Sequence, residues 1–474
     1  MKRQIEEATA LLEAIVEDRG LLAELEPELR QRFLMAAGRV SKPDGTARRQ
    51  LARAHQKREK VEKRDADRAL LSRAGIRRAR ENPIFQTPRR ALDTPLDRTP
   101  LGHVGEERVC YVCRARYTEI HFFYDQMCLA CGDFNYEKRT QTADLTGRVA
   151  LVTGSRVKIG YQAAIMLLRA GAKVLCVTRF PMDAATRYAA EEDFREWGHR
   201  LRIHGIDLRH TPSVEELCTQ ILEENDRLDF LVNNACQTVR RPPGFYQHMM
   251  EKELSTTREE SAVALVASER SREKLSSAAL TQVPLLDEDH LDPTALFPKD
   301  RLDADLQQVD LRRVNSWRLQ MHEVSTIELL EVHLVNAVAP FVLNARLKPL
   351  MMAVPSRDKH VVNVSAMEGQ FYRTYKSDKH PHTNMAKASL NMMTRTSALD
   401  YVDDGIHMNS VDTGWVTDED PIAQAEMKRE MHNFHPPLDI VDGAARIIDP
   451  IFHGINTGEH VWGQFLKDYK PTDW

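Results

Sequence analysis

Two Cys-x-x-Cys pairs, CYVC and CLAC, place Cys110, Cys113, Cys128 and Cys131 on two knuckles, a spacing that lets four thiolates surround one zinc ion tetrahedrally. Four thiolates leave no open position, so the expected zinc is structural and folds a ribbon too short to bury a core alone. A redox pair or paired disulfides are the competing readings, disfavoured in a chain with no export signal. Gly132 is expected to free the turn after the second knuckle, and His121 between the knuckles reads as packing or surface rather than a ligand. A second chemical feature is the stretch GRVALVTGSRVKIG from Gly147 to Gly160, where an apolar run ends in a glycine turn that opens into a helix. Free N–H groups at such a helix start attract phosphate.

These groups need a frame to hold them. Val149 to Val152 read as a buried strand and Tyr161 to Leu168 as an apolar helix face. KVLCVT from Lys173 reads as a second strand, LRIHGID ending at Asp207 as a third, and LDFLVNNA as a fourth, with helical segments between them. That alternation predicts an α/β fold with a doubly wound parallel sheet, the Rossmann architecture.

At this point the chain resembles the short-chain dehydrogenase/reductase family, whose TGxxxGxG turn, acidic residue after the third strand and NNAG appear here as TGSRVKIG, Asp207 and NNAC. The resemblance runs from about Asp144 towards the C-terminus. It implies a nicotinamide dinucleotide held by Gly154, Ser155, Arg156, Lys158, Ile159 and Gly160 of the turn. Arg179, Asp207, Leu208, Asn234, Ala235, Gly414 and Thr417 extend that cofactor set, and Lys387 holds the ribose. It also implies Asn336 of LVNAVAPF and Lys387 of MAKASLNMMTRTSA as active-site residues.

The departures carry as much information. Lys158 stands where the family has its middle glycine; its side chain hinders close approach to phosphate, while its ammonium, with Arg156, can pair with pyrophosphate. Arg179 follows Thr178 with no carboxylate to meet a ribose 2′-hydroxyl, which favours NADP over NAD. Counting back from Lys387 puts Thr383 at the family's catalytic Tyr, and Ala366 falls at its Ser, with Ser365 one position early. A threonine hydroxyl cannot ionise near neutrality as a lysine-assisted phenol does. The loop QFYRTYKSDKHPHT offers Tyr372, Tyr375, His380 and His382 as substitute proton donors; Tyr375 and Lys379 spell the family's YxxxK spacing but precede the helix that should carry it. Thr413 replaces the proline of the turn after the sixth strand, leaving Gly414 and Thr417.

The remaining chain divides as residues 1–81, charged amphipathic helices; 82–108, a Pro-rich linker; 109–136, the four-Cys module; and 144–474, the reductase-like domain with an insertion at about 245–315. The basic stretch Arg48–Arg80 lacks aromatics and is interspersed with acids, so it reads as a solvated helix face, and nucleic acid is not an expected partner. The insertion reads as a lid or a protein-docking surface. Over 474 residues, 42% hydrophobic content and a net charge of −4 fit a soluble multi-domain protein with no preference for polyanions or membranes. No apolar stretch reads as long enough to span a bilayer, and the N-terminus lacks a signal region, so a cytoplasmic location is expected. The resemblance further implies a homo-oligomer. The favoured function is an NADP-dependent oxidoreductase acting on a small carbonyl or alcohol with a non-standard proton donor. The alternatives are a non-catalytic nucleotide sensor or scaffold, and a zinc and basic-helix docking module on a degenerate sheet.

Overall fold

The computed structural model describes the chain except residues 89–96, 256–259, 268–275, 291, 373–375, 418, 423, 425, 428–430 and 432–434. Met1–Leu70 forms one compact unit and Leu71–Trp474 a second. The first holds helices Lys2–Glu17 and Pro27–Ser41, with no fully buried side chain, and most of the helix Gly45–Ser72. Alternating charges along that long helix give i,i+4 pairs such as Arg58–Glu62 and leave it solvated.

The second unit is built on an eight-stranded sheet. Strands β3 (Val149–Thr153), β4 (Lys173–Thr178), β5 (Leu201–Gly205), β6 (Phe230–Asn233), β7 (Lys359–Ser365), β8 (Ile406–Asp412), β9 (Phe465–Lys467) and β10 (Lys470–Thr472) lie in the order β10-β9-β8-β7-β6-β3-β4-β5. All pairs are parallel except β10 with β9. Strand order reverses between β3 and β6, which opens a crevice at their carboxyl ends.

Apolar residues cover both faces, as a parallel sheet requires. On one face Val152, Val232, Val364 and Val411 pack against Leu168 of the helix Lys158–Arg169 and Ile447 and Ile451 of the helix Ile440–Thr457. On the other, Leu151, Leu231, Val361 and Met408 meet Leu217 of the helix Thr211–Glu224 and Leu343 and Leu347 of the helix Ala339–Met352. The run Thr326–Met352 is, contrary to the sequence expectation, long and apolar enough to cross a membrane by length and composition. Here it lies on the sheet with Val332, Leu343 and Leu347 buried.

The stretch taken as a linker contains strand β1 (Gly102–Val109), which pairs antiparallel with β2 (Arg116–Ile120) ahead of the helix Leu129–Thr140. This Cys-bearing module is fastened to the sheet domain by buried charge. The Arg139 guanidinium spans both oxygens of Asp439 at 2.5 and 2.8 Å and reaches Asp442 at 3.0 Å. The Tyr124 hydroxyl donates to Asp442 at 2.5 Å, and Arg446 donates to the Asn135 side chain at 2.7 Å. Asp439 and Asp442 form the capping box of the helix Ile440–Thr457, so one pair of carboxylates both starts that helix and holds the module. Burial pushes the Asp442 carboxyl up, with Asp439 beside it adding to the shift.

Replacing Arg139 by leucine leaves these carboxylates buried without their cation. We expect Arg139→Leu to lose about 3–5 kcal/mol of unfolding free energy in urea titrations, and a loss within error of zero would show that the network does not fasten the module.

Candidate functional site

A cavity of about 1270 Å³ lies in the crevice at the carboxyl ends of β3 and β6. At its floor, Gly154 takes φ +66°, and a Cβ there would stand 2.7 Å from the Ala235 Cα. A Cβ on Gly160 would stand 2.2 Å from the Asn234 side-chain nitrogen. That amide donates to the carbonyls of Thr153 and Gly154 at 3.0 and 3.1 Å, and the Ala235 N–H donates to the Thr153 hydroxyl at 3.0 Å. The loop after β6 therefore buttresses the turn after β3.

Lys158 adopts φ +57°, the left-handed backbone that a glycine would take. A lysine held there costs roughly 1–2 kcal/mol, so the turn keeps its shape against the residue's preference. Its charge is felt by Glu419 and Asp305. Arg156 does not offer its charge freely: it is buried, 2.7 Å from Asp183 and 3.1 Å from Gln307. Burial works against the Asp183 carboxylate, but Arg156 and Arg187 together hold it well below the usual range. Ser155 is buried, with its carbonyl accepting from the Tyr188 hydroxyl at 2.6 Å, whereas Ile159 lines the cavity.

Arg179 borders the cavity, donates to the Tyr246 hydroxyl at 3.0 Å and stacks over that ring. Among the described residues no carboxylate lies within ion-pair distance of it. Asp207 and Leu208 also line the wall, the Asp207 carboxylate gripped by Arg209 at 2.7 Å, which in turn reaches Glu331. The insertion lines this half of the cavity through Phe245, Tyr246, Asp303, Gln307 and Gln308. Its Ala267 N–H also donates to the Ile203 carbonyl at 2.7 Å, covering part of the β5 edge.

At the other half, Asn336 sits in a π-helical turn, Leu334–Val338, a break of the kind often found at functional sites. Its amide clamps Gln237, accepting from the backbone N–H and donating to the carbonyl, both at 2.9 Å. The Asn336 side chain is thus occupied in positioning the loop after β6. Lys387 and Thr383, on the helix Pro381–Asp403, both line the cavity. The Lys387 ammonium donates to the Val364 carbonyl at 2.8 Å, and the buried Thr383 hydroxyl has no hydrogen-bond partner among the described residues. Ser365 is at the cavity wall, but its hydroxyl is spent on Asn391 at 2.6 Å. His382 is not brought to the cavity: its ring lies beside Glu328, 3.6 Å away. His380 stacks on Trp317, Tyr372 lines the rim, and Tyr375 lies outside the described residues.

Gly414 takes φ +75°, and a Cβ on it would stand 2.5 Å from Leu438. The Thr417 hydroxyl donates to Glu419 at 2.8 Å. Sequence reasoning missed the groups that close this end. Tyr111 and Arg114, from the first Cys knuckle, line the cavity, and the Trp415 N–H donates to the Tyr111 hydroxyl at 2.9 Å. Asp412 and Lys467, at the ends of β8 and β9, complete the wall.

The four thiols themselves converge, with every sulfur within 4.8 Å of the others and Cys113 Sγ 3.7 Å from Cys128 Sγ. A tetrahedral ion with bonds of ~2.3 Å to sulfur sets its ligands about 3.8 Å apart, so the donor set fits such an ion. The Ala115 backbone N–H is the chief cause that brings the Cys113 thiol down to about 7. Gly132 serves close packing: a Cβ there would strike the His121 ring at 2.6 Å. That ring accepts from the N–H groups of Phe123 and Tyr124 through Nδ1.

The short chain dehydrogenase family matches residues 148–270, and the family described as enoyl-(acyl carrier protein) reductase matches residues 314–439. An uncharacterized protein of Acanthamoeba polyphaga mimivirus is 31% identical over 356 residues, covering 73% of this chain and 71% of that one. Retinol dehydrogenase 13 of Homo sapiens is 34% identical over 95 residues, 20% of this chain and 28% of that one. The solved RhlG/NADP active-site complex of Pseudomonas aeruginosa is 18% identical with a TM-score of 0.44, covering 68% of this chain and 95% of that one. The matched families take in the glycine turn, Asn336 and Lys387, and this chain belongs to the short-chain dehydrogenase/reductase family.

Proposed function

We propose that the protein is an NADP-dependent oxidoreductase that interconverts a carbonyl and an alcohol. The observation that carries this reading is the single cavity that joins the Gly154–Gly160 turn and Arg179 at one end to Thr383, Lys387 and Gly414 at the other. Within it, Gly154, Gly160 and the backbone N–H groups of the turn would hold the pyrophosphate, with Lys158 supplying positive charge. Arg179, free of a carboxylate partner among the described residues, would meet the adenosine 2′-phosphate. Lys387 would hold the ribose nearest the reaction end. The bound cofactor supplies the hydride; the chain's own residues orient it and exclude water.

Titration of the purified protein with NADPH tests the reading. We expect micromolar NADPH affinity and about tenfold weaker NADH binding, with Arg179→Ala erasing that preference. Lys158→Gly should raise unfolding stability by about 1 kcal/mol as the left-handed strain is relieved, while weakening NADPH. Failure of both nucleotides to bind the folded protein would overturn the assignment. Binding without turnover on any carbonyl would favour the sensor or scaffold reading, to which the alanine at position 366 and the threonine at position 383 lend weight.

The Cys110–Cys131 cluster is assigned a structural zinc, consistent with the reduced thiols of a cytoplasmic setting. Because Tyr111 and Arg114 line the cavity, chelation should release one zinc per chain, lower the melting temperature and weaken NADPH by about tenfold. Unchanged NADPH affinity in the zinc-free protein would separate the metal from the site.

The protein is further assigned a homo-oligomer. Leu330, Val338 and Phe341 on one helical run, and Met385, Met392 and Leu399 on the helix Pro381–Asp403, form exposed apolar stripes, with Phe341 60% exposed. Stripes of this kind are ordinarily covered by a partner surface. Light scattering should show a dimer or larger assembly that Phe341→Glu shifts towards monomer; a monomeric native protein would remove this assignment.

A further inference from the structure

Resting on the oxidoreductase reading, the question left open is which group moves the proton once the family's tyrosine has become Thr383. The Thr383 hydroxyl is buried at the cavity wall with no hydrogen-bond partner among the described residues, so it can hold a substrate oxygen. It cannot release a proton near neutrality. Several of the other ionisable side chains at this end already have partners. Lys387 donates to the Val364 carbonyl, Lys467 is 2.5 Å from Asp468, and the Tyr111 hydroxyl accepts from Trp415. The two histidines offered by the sequence do not serve: His382 lies beside Glu328 and His380 stacks on Trp317. Tyr375 lies outside the described residues.

Asp412 differs from all of these. It closes strand β8 in register with Ser365, the last residue of β7, and both residues line the reaction end. Its side chain is almost wholly buried, yet it makes no hydrogen bond or ion pair among the described residues. The neighbouring parts of the fold explain why it can stay uncommitted. Lys467 from β9, Arg446 from the helix Ile440–Thr457, and the acidic Glu368 and Asp468 act on it from several sides with opposing signs, and Tyr111 faces it from the Cys module. Burial is the largest influence and raises its carboxyl to about 6. A carboxyl in that range is poised to give or take a proton near neutral pH.

We propose that Asp412 is the proton donor and acceptor for the substrate oxygen, and that Thr383 holds that oxygen by a hydrogen bond. In the reducing direction the carbonyl carbon takes the hydride of the reduced nicotinamide, forming a C–H bond as the C=O π pair moves onto oxygen. That oxygen takes the Asp412 proton to give the alcohol, the O–H bonding pair stays on the carboxylate, and the nicotinamide leaves oxidised. Water reaching the cavity reprotonates Asp412. Oxidation of the alcohol runs the same transfers backwards, with the carboxylate as base.

The test uses the full-length, zinc-loaded protein and the variants Asp412→Asn, Asp412→Glu and Thr383→Ala. Infrared difference titration of native protein against Asp412→Asn should reveal one carboxyl that titrates near about 6. NADPH affinity by fluorescence should stay within about twofold of native in Asp412→Asn, because the residue does not hold the cofactor. On a carbonyl substrate that native protein reduces, kcat should fall by about 100-fold in Asp412→Asn. Reduction should slow in native protein as pH rises through the Asp412 titration, oxidation should slow as pH falls through it, and both limbs should vanish in Asp412→Asn. Asp412→Glu should restore part of the rate. An Asp412 that titrates in the ordinary carboxylate range, or an unchanged kcat and pH profile in Asp412→Asn, overturns this proposal alone, provided NADPH still binds. Absence of NADPH binding to native protein overturns the oxidoreductase reading and this proposal with it.

Discussion

Arg139, held between Asp439 and Asp442, is the contact on which the geometry of the cavity beside Tyr111 and Trp415 depends. Buried charges of this kind add little net stability because desolvation offsets most of the attraction, but breaking one partner is costly. Their value here is directional. The same two carboxylates start the helix Ile440–Thr457, so the module cannot shift without disturbing the helix that flanks the sheet. Docked this way, the first Cys knuckle brings Tyr111 against the Trp415 N–H, at the mouth of the turn after β8. A module whose only task was to complete its own small core would have no need for an aromatic hydroxyl in a neighbour's cavity.

The glycine turn shows a different economy. Where a lysine replaces the middle glycine the backbone does not relax; Lys158 stays left-handed, and the Asn234 amide still clamps the Thr153 and Gly154 carbonyls. The surrounding contacts over-determine the turn, which is the condition under which strain of this size persists. Arg156 follows the opposite course. Its charge is absorbed by Asp183, and with Arg187 bonded to the carbonyls of Asp305 and Leu306 the turn and the insertion become one wall. The insertion therefore walls the half of the crevice that holds the glycine turn.

Local features were legible from sequence and non-local ones were not. Strand, turn and helix at Val149–Arg169 follow from a continuous apolar run, two glycines and helical spacing, all within a few turns of chain. The Cys knuckles are likewise local, since Cys-x-x-Cys fixes how two sulfurs face each other. Strand β1 was hidden because GHVGEERV is rich in charge and exposed, and its only strong reason to extend is pairing with β2. Tyr111 could not be placed in the cavity by any local rule, because its role depends on Arg139 reaching across about 300 residues of chain to Asp439. A tyrosine between two ligand cysteines was the one available hint.

Helix geometry decides between His382 and Thr383. Adjacent residues on an α-helix point about 100° apart, at 3.6 residues per turn. Thr383 is four residues from Lys387 and shares its face, so both meet the cavity; His382 is rotated off that face and finds Glu328 instead. A proton donor drawn from this helix would therefore need the position that threonine already fills. A threonine side chain ends at its γ-oxygen, several ångströms short of where a phenol would reach, so the space beside the helix has to be bounded from elsewhere. The ends of β7 and β8 and the knuckle bearing Tyr111 provide that boundary, and they do so with a buried carboxyl at Asp412. The short side chain of Thr383 and the buried acid at Asp412 bound one cavity, and Tyr111 of the docked module lines it with them.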